Sequence, residues 1–154
     1  DGDWNGGSSQ IFKTVYNEFP WYADGTTGFV DVRDVAKAMI QLMNSNISAE
    51  RFIIGAENRS YADMFNLMAK AFGKKPPHKK VTPMLAKIVW RLEAVKSLFT
   101  GKDPLVTKET AKTALAKVNF DNSKLRSALP GFQFTPLEKA ISISCKQYLA
   151  QHSQ

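Results

Sequence analysis

The chain has 154 residues, 44% of them hydrophobic and 23% charged, which is the size and balance of one globular domain with a buried core. Its 21 basic and 14 acidic residues leave a net charge of +7, so a polyanionic partner has to be weighed. No apolar run approaches the roughly 18 residues needed to cross a bilayer, and the single cysteine, Cys145, excludes an internal disulfide.

The opening DGDWNGGSSQ is polar and acidic, without the basic start and apolar stretch of a signal peptide. With the lone thiol, this places the protein in a reducing compartment, and a cytoplasmic location is expected. The chain begins at Asp1 inside a Gly-rich loop, as the middle of a longer polypeptide would. Ser8 or Ser9 is then placed to cap a helix carrying Ile11, Phe12, Val15 and Phe19 on one side. FPWYADGTTG, with Pro20, Gly25 and Gly28, predicts a short extended piece and a turn.

Residues 28–40, GFVDVRDVAKAMI, begin as a strand and continue as a helix. Asp31 fits its N-cap and Asp34 its third position, with Arg33 pointing away from the apolar stripe. RFIIGA, residues 51–56, has the compact apolar character of a buried strand. In the helix that follows, Ser60 and Asp63 form a capping box and Gly73 sits at the C-cap. Its stripe is Tyr61, Met64, Phe65, Met68, Ala71 and Phe72. KKPPHKK is a rigid linker, and a short strand is predicted near Val81.

A long amphipathic helix is predicted from Pro83 through Leu85, Ile88, Val89, Leu92, Val95 and Phe99. TGKDP ends it, and TKETAKTALAKV supplies another. VNFDNSKLRSALPGF reads as a short strand and a short helix. The last helix opens on Thr135, Pro136 and Glu138, a capping box with proline at the first helical position. Leu137, Ala140, Ile141, Cys145, Tyr148 and Leu149 face inward. The expected total is about seven helices and three or four short strands in a single α/β unit. Positive charge concentrates in residues 73–117, where eleven Lys or Arg face three acids. These lysines fall on the polar sides of helices, without the interleaved aromatics that stack bases, so a solvated face is expected there and nucleic acid is not.

Several catalytic signatures are missing. Gly25 and Gly28 have the gap of a dinucleotide cradle, but Asp31 stands where the third glycine belongs. No tyrosine has lysine four residues on: the residues that follow Tyr16, Tyr22, Tyr61 and Tyr148 at that distance are Pro20, Thr26, Phe65 and His152. His78 and His152 have no second ligand at metal-binding spacing. Cys145, on an apolar stripe, reads as core. The sequence therefore contains no complete active site.

Three segments together, GFVDVRDVAKAMI, ERFIIGAENRSYADMFNLMAKAFGKKPP and NFDNSKLRSALPGFQFTPLEKAI, resemble the carboxy-terminal half of extended short-chain dehydrogenases/reductases. These are the NAD-dependent epimerase/dehydratase proteins, and the dihydroflavonol-reductase-like branch is the nearest in pattern. The resemblance implies the carboxy-terminal part of a Rossmann-type reductase. Residues 1–154 would form one compact unit, a helix-rich substrate lobe plus the last strand and helix elements of a nucleotide-binding domain. The Gly-rich loop and the catalytic Tyr and Lys would lie upstream. NAD or NADP would serve the full-length parent, and this portion alone is expected to be inactive and not to bind the cofactor.

By the same resemblance, Ser8 and Ser9 match the region that hydrogen-bonds the cofactor; plain helix capping is the alternative. Trp4 and Asn5 match the loop bordering nicotinamide and substrate, although Trp4 could equally pack into the core. Thr27, Gly28 and Phe29 match the edge strand of the substrate pocket, with a core role as the alternative for Phe29. Thr26 and Thr27 stand where relatives acting on sugar nucleotides often carry arginine, which favours a small, less charged carbonyl or alcohol as substrate. The competing readings are a non-enzymatic polyanion-binding module built on residues 73–117, and an epimerase or dehydratase of nucleotide sugars. No membrane partner is expected, and the sequence leaves oligomeric state open.

Overall fold

A computed structural model describes residue 4 and residues 9–85, 88 and 108–152 of the chain. Ten elements follow in order: α1 (Gln10–Tyr16), β1 (Trp21–Ala23), β2 (Thr26–Phe29), α2 (Val32–Met43), β3 (Glu57–Ser60), α3 (Tyr61–Phe72), β4 (Lys79–Val81), α4 (Lys108–Leu115), α5 (Ser123–Ala128) and α6 (Leu137–His152). Residues 83–85 are helical, and most of the long helix expected after Pro83 lies outside the described residues.

The core is a helical one. Val15 of α1, Met64, Met68 and Ala69 of α3, and Leu137, Ile141 and Cys145 of α6 are buried against one another, with Ile11, Phe12, Phe65 and Phe72 packed around them. Three amphipathic stripes meet in one seam, and each Å² of apolar area they bury contributes on the order of 25 cal/mol, the main stabilising term for a unit of this size. An aromatic cluster closes the far end, where Tyr148 meets Trp4, Tyr16 and Phe72 with ring centroids 5.3–5.5 Å apart. Phe19, expected on the inner side of α1, is about half exposed, because the helix stops at Tyr16.

The strands form two small sheets. β1 pairs with β4 in parallel, Trp21 opposite Lys79, and β2 pairs with β3 antiparallel, Thr26 opposite Ser60 and Phe29 opposite Glu57. A single parallel bridge adds Lys117 beside Thr26. There the Thr26 N–H donates to Ala116 O, and Val118 N–H donates to Thr26 O, both at 2.9 Å. Gly25 makes this approach possible: a Cβ there would lie 2.3 Å from the Ala114 carbonyl oxygen, inside any tolerable contact.

RFIIGA is not a strand, contrary to expectation. Only Ala56 reaches the ladder, donating to Phe29 O at 2.9 Å, and the paired segment is the polar run Glu57–Ser60. β-favouring side chains express a preference for a covered sheet, but a ladder needs a partner edge, and residues 51–55 have none among the described residues. Ile53 is accordingly exposed. The stripe of α2 is exposed as well, with Val32 at 78%, Met43 at 80% and both Met39 and Ile40 above half.

Capping follows the sequence closely in two places. Ser60 Oγ accepts from Asp63 N–H at 3.0 Å, and Gly73 ends α3 in the left-handed region with φ of 65°. Elsewhere the caps differ. Asp31 does cap α2, accepting from Arg33 N–H, but Asp34 is fully buried and turned to another element. Its two oxygens accept from the Thr135 N–H at 2.6 Å and the Thr135 hydroxyl at 3.1 Å. The first amide of α6, Leu137 N–H, donates to Glu57 of β3 at 3.1 Å. The start of the last helix is thus held by carboxylates from α2 and β3, which the positive end of a helix favours, and not by the expected capping box: the Thr135 hydroxyl donates to Asp34 and Glu138 pairs with Arg59.

Candidate functional site

A cavity of about 520 Å³ opens where α1, β2, α3 and α6 converge. β2 supplies Thr27, Gly28 and Phe29, and the turn into α2 adds Val30, Asp31 and Val32. Ser9, Ile11 and Phe12 come from the α1 end, Tyr61, Met64 and Met68 from α3, and Leu137, Ala140, Ile141 and Ser144 from α6. Its size is that of a small-molecule site, and its walls are apolar with a few hydroxyls.

Local sequence places these groups. The antiparallel ladder with β3 fixes β2, so Thr27 and Phe29, two residues apart, share one face of the strand. Gly28 stands between them because Phe120 packs over it, with a ring carbon 2.9 Å from where a Cβ would be. Asn58 fixes that arrangement from β3: its side-chain amide donates to Phe120 O and its oxygen accepts from Phe120 N–H, each at 2.9 Å. Tyr61 opens α3 with its backbone N–H donating to Gly25 O at 3.0 Å. Its ring meets Phe29 edge-on at 6.0 Å between centroids.

Asp31 is the carboxylate of this lining, and its charge is spent locally. Oδ1 accepts from the Arg33 backbone N–H and from Nε at 2.9 Å, and Oδ2 pairs with Arg33 Nη2. The Arg33 guanidinium holds the Asp31 carboxyl below its usual range despite burial. A carboxylate so occupied does not take a proton from a ligand near neutrality. Arg33 thus pairs with its own helix cap. The cavity offers hydrogen bonding through Ser9, Thr27 and Ser144, and no lysine or arginine lines it among the described residues.

Ser9, Thr27, Gly28 and Phe29, singled out in the sequence, come together on this cavity. Trp4 stands elsewhere: its ring packs edge-on against Phe12 and Tyr148, and its Nε1–H donates to Gln151. Asn5 and Ser8 lie outside the described residues. Ser9 occupies the N-cap position of α1 without a side-chain capping bond. Sequence reasoning left out Tyr61, Met64 and Ser144. The first two share the helical spacing of a core stripe, which conceals a cavity wall. Ser144 had a readable signal, a hydroxyl seven residues after Leu137 on an otherwise apolar face.

The described residues do not by themselves build a dinucleotide site. Ser9 is a hydroxyl in the cavity lining, and no run of close-approach glycines accompanies it among the described residues. No group of three or more metal-ligating side chains occurs among the described residues. The Cys145 thiol is 1% exposed, and burial pushes its pKa up to about 12, so it carries almost no thiolate at neutral pH. Three described lysines of the basic segment are engaged within the fold: Lys74 lies 5.0 Å over Tyr16, Lys79 lies 5.5 Å over Trp21, and Lys80 pairs with Asp24.

No family model matches the chain. A probable GDP-L-fucose synthase of Drosophila melanogaster is 30% identical over 129 residues, 82% of this chain and 32% of that protein. Among solved structures, that of gox2253 superposes with a TM-score of 0.68 at 24% identity, over 93% of this chain and 43% of its own. A nucleoside-diphosphate-sugar epimerase from Pseudomonas aeruginosa, PA4631, gives 0.68 at 16% identity, over 94% of this chain and 42% of its own. The chain thus spans about a third of the curated relative and less than half of each structure. It has the fold of the carboxy-terminal part of Rossmann-type epimerases, helix-rich with a few short strands.

Proposed function

We propose that this chain, which matches the carboxy-terminal part of an extended short-chain dehydrogenase/reductase of the epimerase/dehydratase type, forms the substrate side of an NAD(P)-dependent oxidoreductase acting on a small carbonyl or alcohol. The observation that carries this reading is the chemistry of the cavity walls. Phe29, Tyr61, Met64 and Ile141 offer apolar cover, Ser9, Thr27 and Ser144 offer neutral hydrogen bonds, and the charge of Asp31 is neutralised by Arg33. A nucleoside diphosphate carries charges that call for bidentate arginine or lysine, and none lines the cavity among the described residues.

In this reading the nicotinamide cofactor supplies the hydride when bound to the complete protein, and the catalytic acid is not in this chain. Its own residues bind and orient the substrate and exclude water from the carbonyl. Thr27 and Ser144 hydroxyls are suited to hold the polar end of a substrate whose body lies against Phe29 and Ile141.

A second reading, conversion of a nucleotide sugar, is favoured by the described activities of the Drosophila and Pseudomonas relatives. The two are separated by incubating the complete polypeptide with NADPH and either 1-phenyl-1-alkanones or GDP- and UDP-sugars. Ketone-dependent NADPH consumption supports the reductase. Sugar-nucleotide conversion without ketone reduction refutes it.

A further inference from the structure

A second cavity of about 520 Å³ lies on the other side of Tyr61. Its lining is Ile11, Ala23, Tyr61, Phe65, Glu109, Thr113 and Ala114, so Ile11 and Tyr61 belong to the walls of both cavities. These two side chains border both apolar spaces. Resting on the reductase reading above, we propose that Tyr61 is a specificity-determining partition: it limits the substrate to the first cavity and so sets the greatest length of an uncharged, apolar carbonyl compound that binds.

The position of Tyr61 is what a partition needs. As the first residue of α3, its backbone is fixed from both directions: its N–H donates to Gly25 O at 3.0 Å, and Ser60 before it caps the helix. The ring has little freedom to swing aside, because Phe29 abuts it at 6.0 Å and Phe65 at 6.3 Å between centroids. Phe29 belongs to the first cavity and Phe65 to the second, so the Tyr61 ring is the middle member of an aromatic row running from one to the other. Glu109 brings one carboxylate to the second lining and no lysine or arginine accompanies it there among the described residues, which disfavours anionic ligands. A molecule that entered the second space would therefore be an apolar tail.

The prediction is read on a homologous series, 1-phenyl-1-alkanones from acetophenone to decanophenone, titrated into the chain by NMR. Each methylene that gains apolar cover tightens binding about fourfold. In the parent chain this gain should stop after a few carbons, where the tail meets the ring. Tyr61→Ala should join the two spaces and extend the gain through the longer members, whereas Tyr61→Phe keeps the ring and the original cut-off. Adding Thr113→Leu to Tyr61→Ala should refill the second space and restore the early cut-off, and Thr113→Leu alone should leave the series unchanged. Should Tyr61→Ala fail to fold, Tyr61→Leu and the single Thr113→Leu variant carry the test. An identical length profile in Tyr61→Ala or Tyr61→Leu, or a shortened one in Thr113→Leu alone, overturns the partition while leaving the reductase reading in place. Failure of every ketone to bind any variant, with saturable binding of a GDP-sugar instead, overturns both.

Discussion

Asp34 and Thr135 are 101 residues apart in sequence and are joined by two hydrogen bonds, from the Thr135 N–H at 2.6 Å and its hydroxyl at 3.1 Å, to a carboxylate with no exposed surface. Together with Glu57 and the Leu137 amide, this pair fixes where α6 begins and hence where Ala140, Ile141 and Ser144 stand in the cavity wall. Asp34→Ala takes the buried carboxylate away from the half-buried Thr135 donors, a change expected to cost about 1–3 kcal/mol. Lys37, which also reaches Asp34 at 3.3 Å, is largely exposed, and Lys37→Ala is expected to cost under about 1 kcal/mol. Urea denaturation of both variants gives the comparison.

Glu57 gives this clamp a pH dependence. The Leu137 amide, and then Arg59, hold its carboxyl below the ordinary range. A carboxyl depressed in the folded state contributes stability that is fully present above its unfolded pKa and is lost as pH falls through the folded value. Denaturation midpoints should therefore fall in acid, over the window below the usual glutamate pKa. Glu57→Gln keeps an oxygen for Leu137 and should remove that part of the acid dependence.

Two glycines should respond differently to alanine. At Gly25 a methyl group would collide with the backbone carbonyls of Ala114 and Ala116, at 2.3 and 2.7 Å, which the chain cannot relieve without breaking the Thr26 bridge. Gly25→Ala is expected to cost more than about 3 kcal/mol or to prevent folding, as overpacking against backbone does. At Gly28 the neighbour is the Phe120 ring at 2.9 Å, which is 43% exposed and can move. Gly28→Ala should cost about 1–2 kcal/mol and alter ligand affinity more than stability. Thermal melts and ligand titration read the two effects separately.

Cys145 should behave as a core residue. With its pKa pushed up to about 12 and its side chain sealed in the α3–α6 seam, it should resist alkylation by iodoacetamide at pH 8 in the folded chain. The same thiol should react promptly in urea. Rapid modification without denaturant would show that the seam opens.

Local signals in the sequence were read well wherever neighbours in sequence settle the structure. The Ser60 cap, the Gly73 terminus and the Asp31 cap depend on contacts within a few residues, and the inward stripe of α6 on helical periodicity. The readings that changed depend on distant partners. RFIIGA has strand composition, but no edge pairs with residues 51–55 among the described residues. Asp34 fits a helix first turn in sequence, and only the fold reveals Thr135 beside it. Tyr61 and Met64 read as core because a cavity wall and a packed stripe share one periodicity. Of the residues named from family resemblance, Thr27, Gly28 and Phe29 gather on the cavity with Ser9, while Trp4 is drawn to Tyr148 by aromatic packing.

As proposed, this chain carries the substrate wall of a reductase without its cofactor cradle. Calorimetric titration of the 154-residue chain with acetophenone and, separately, with NADPH tests both properties. Acetophenone should bind saturably and lose affinity in Phe29→Ala, and NADPH should give no saturable heat. Tight NADPH binding, or ketone binding indifferent to Phe29, would contradict it.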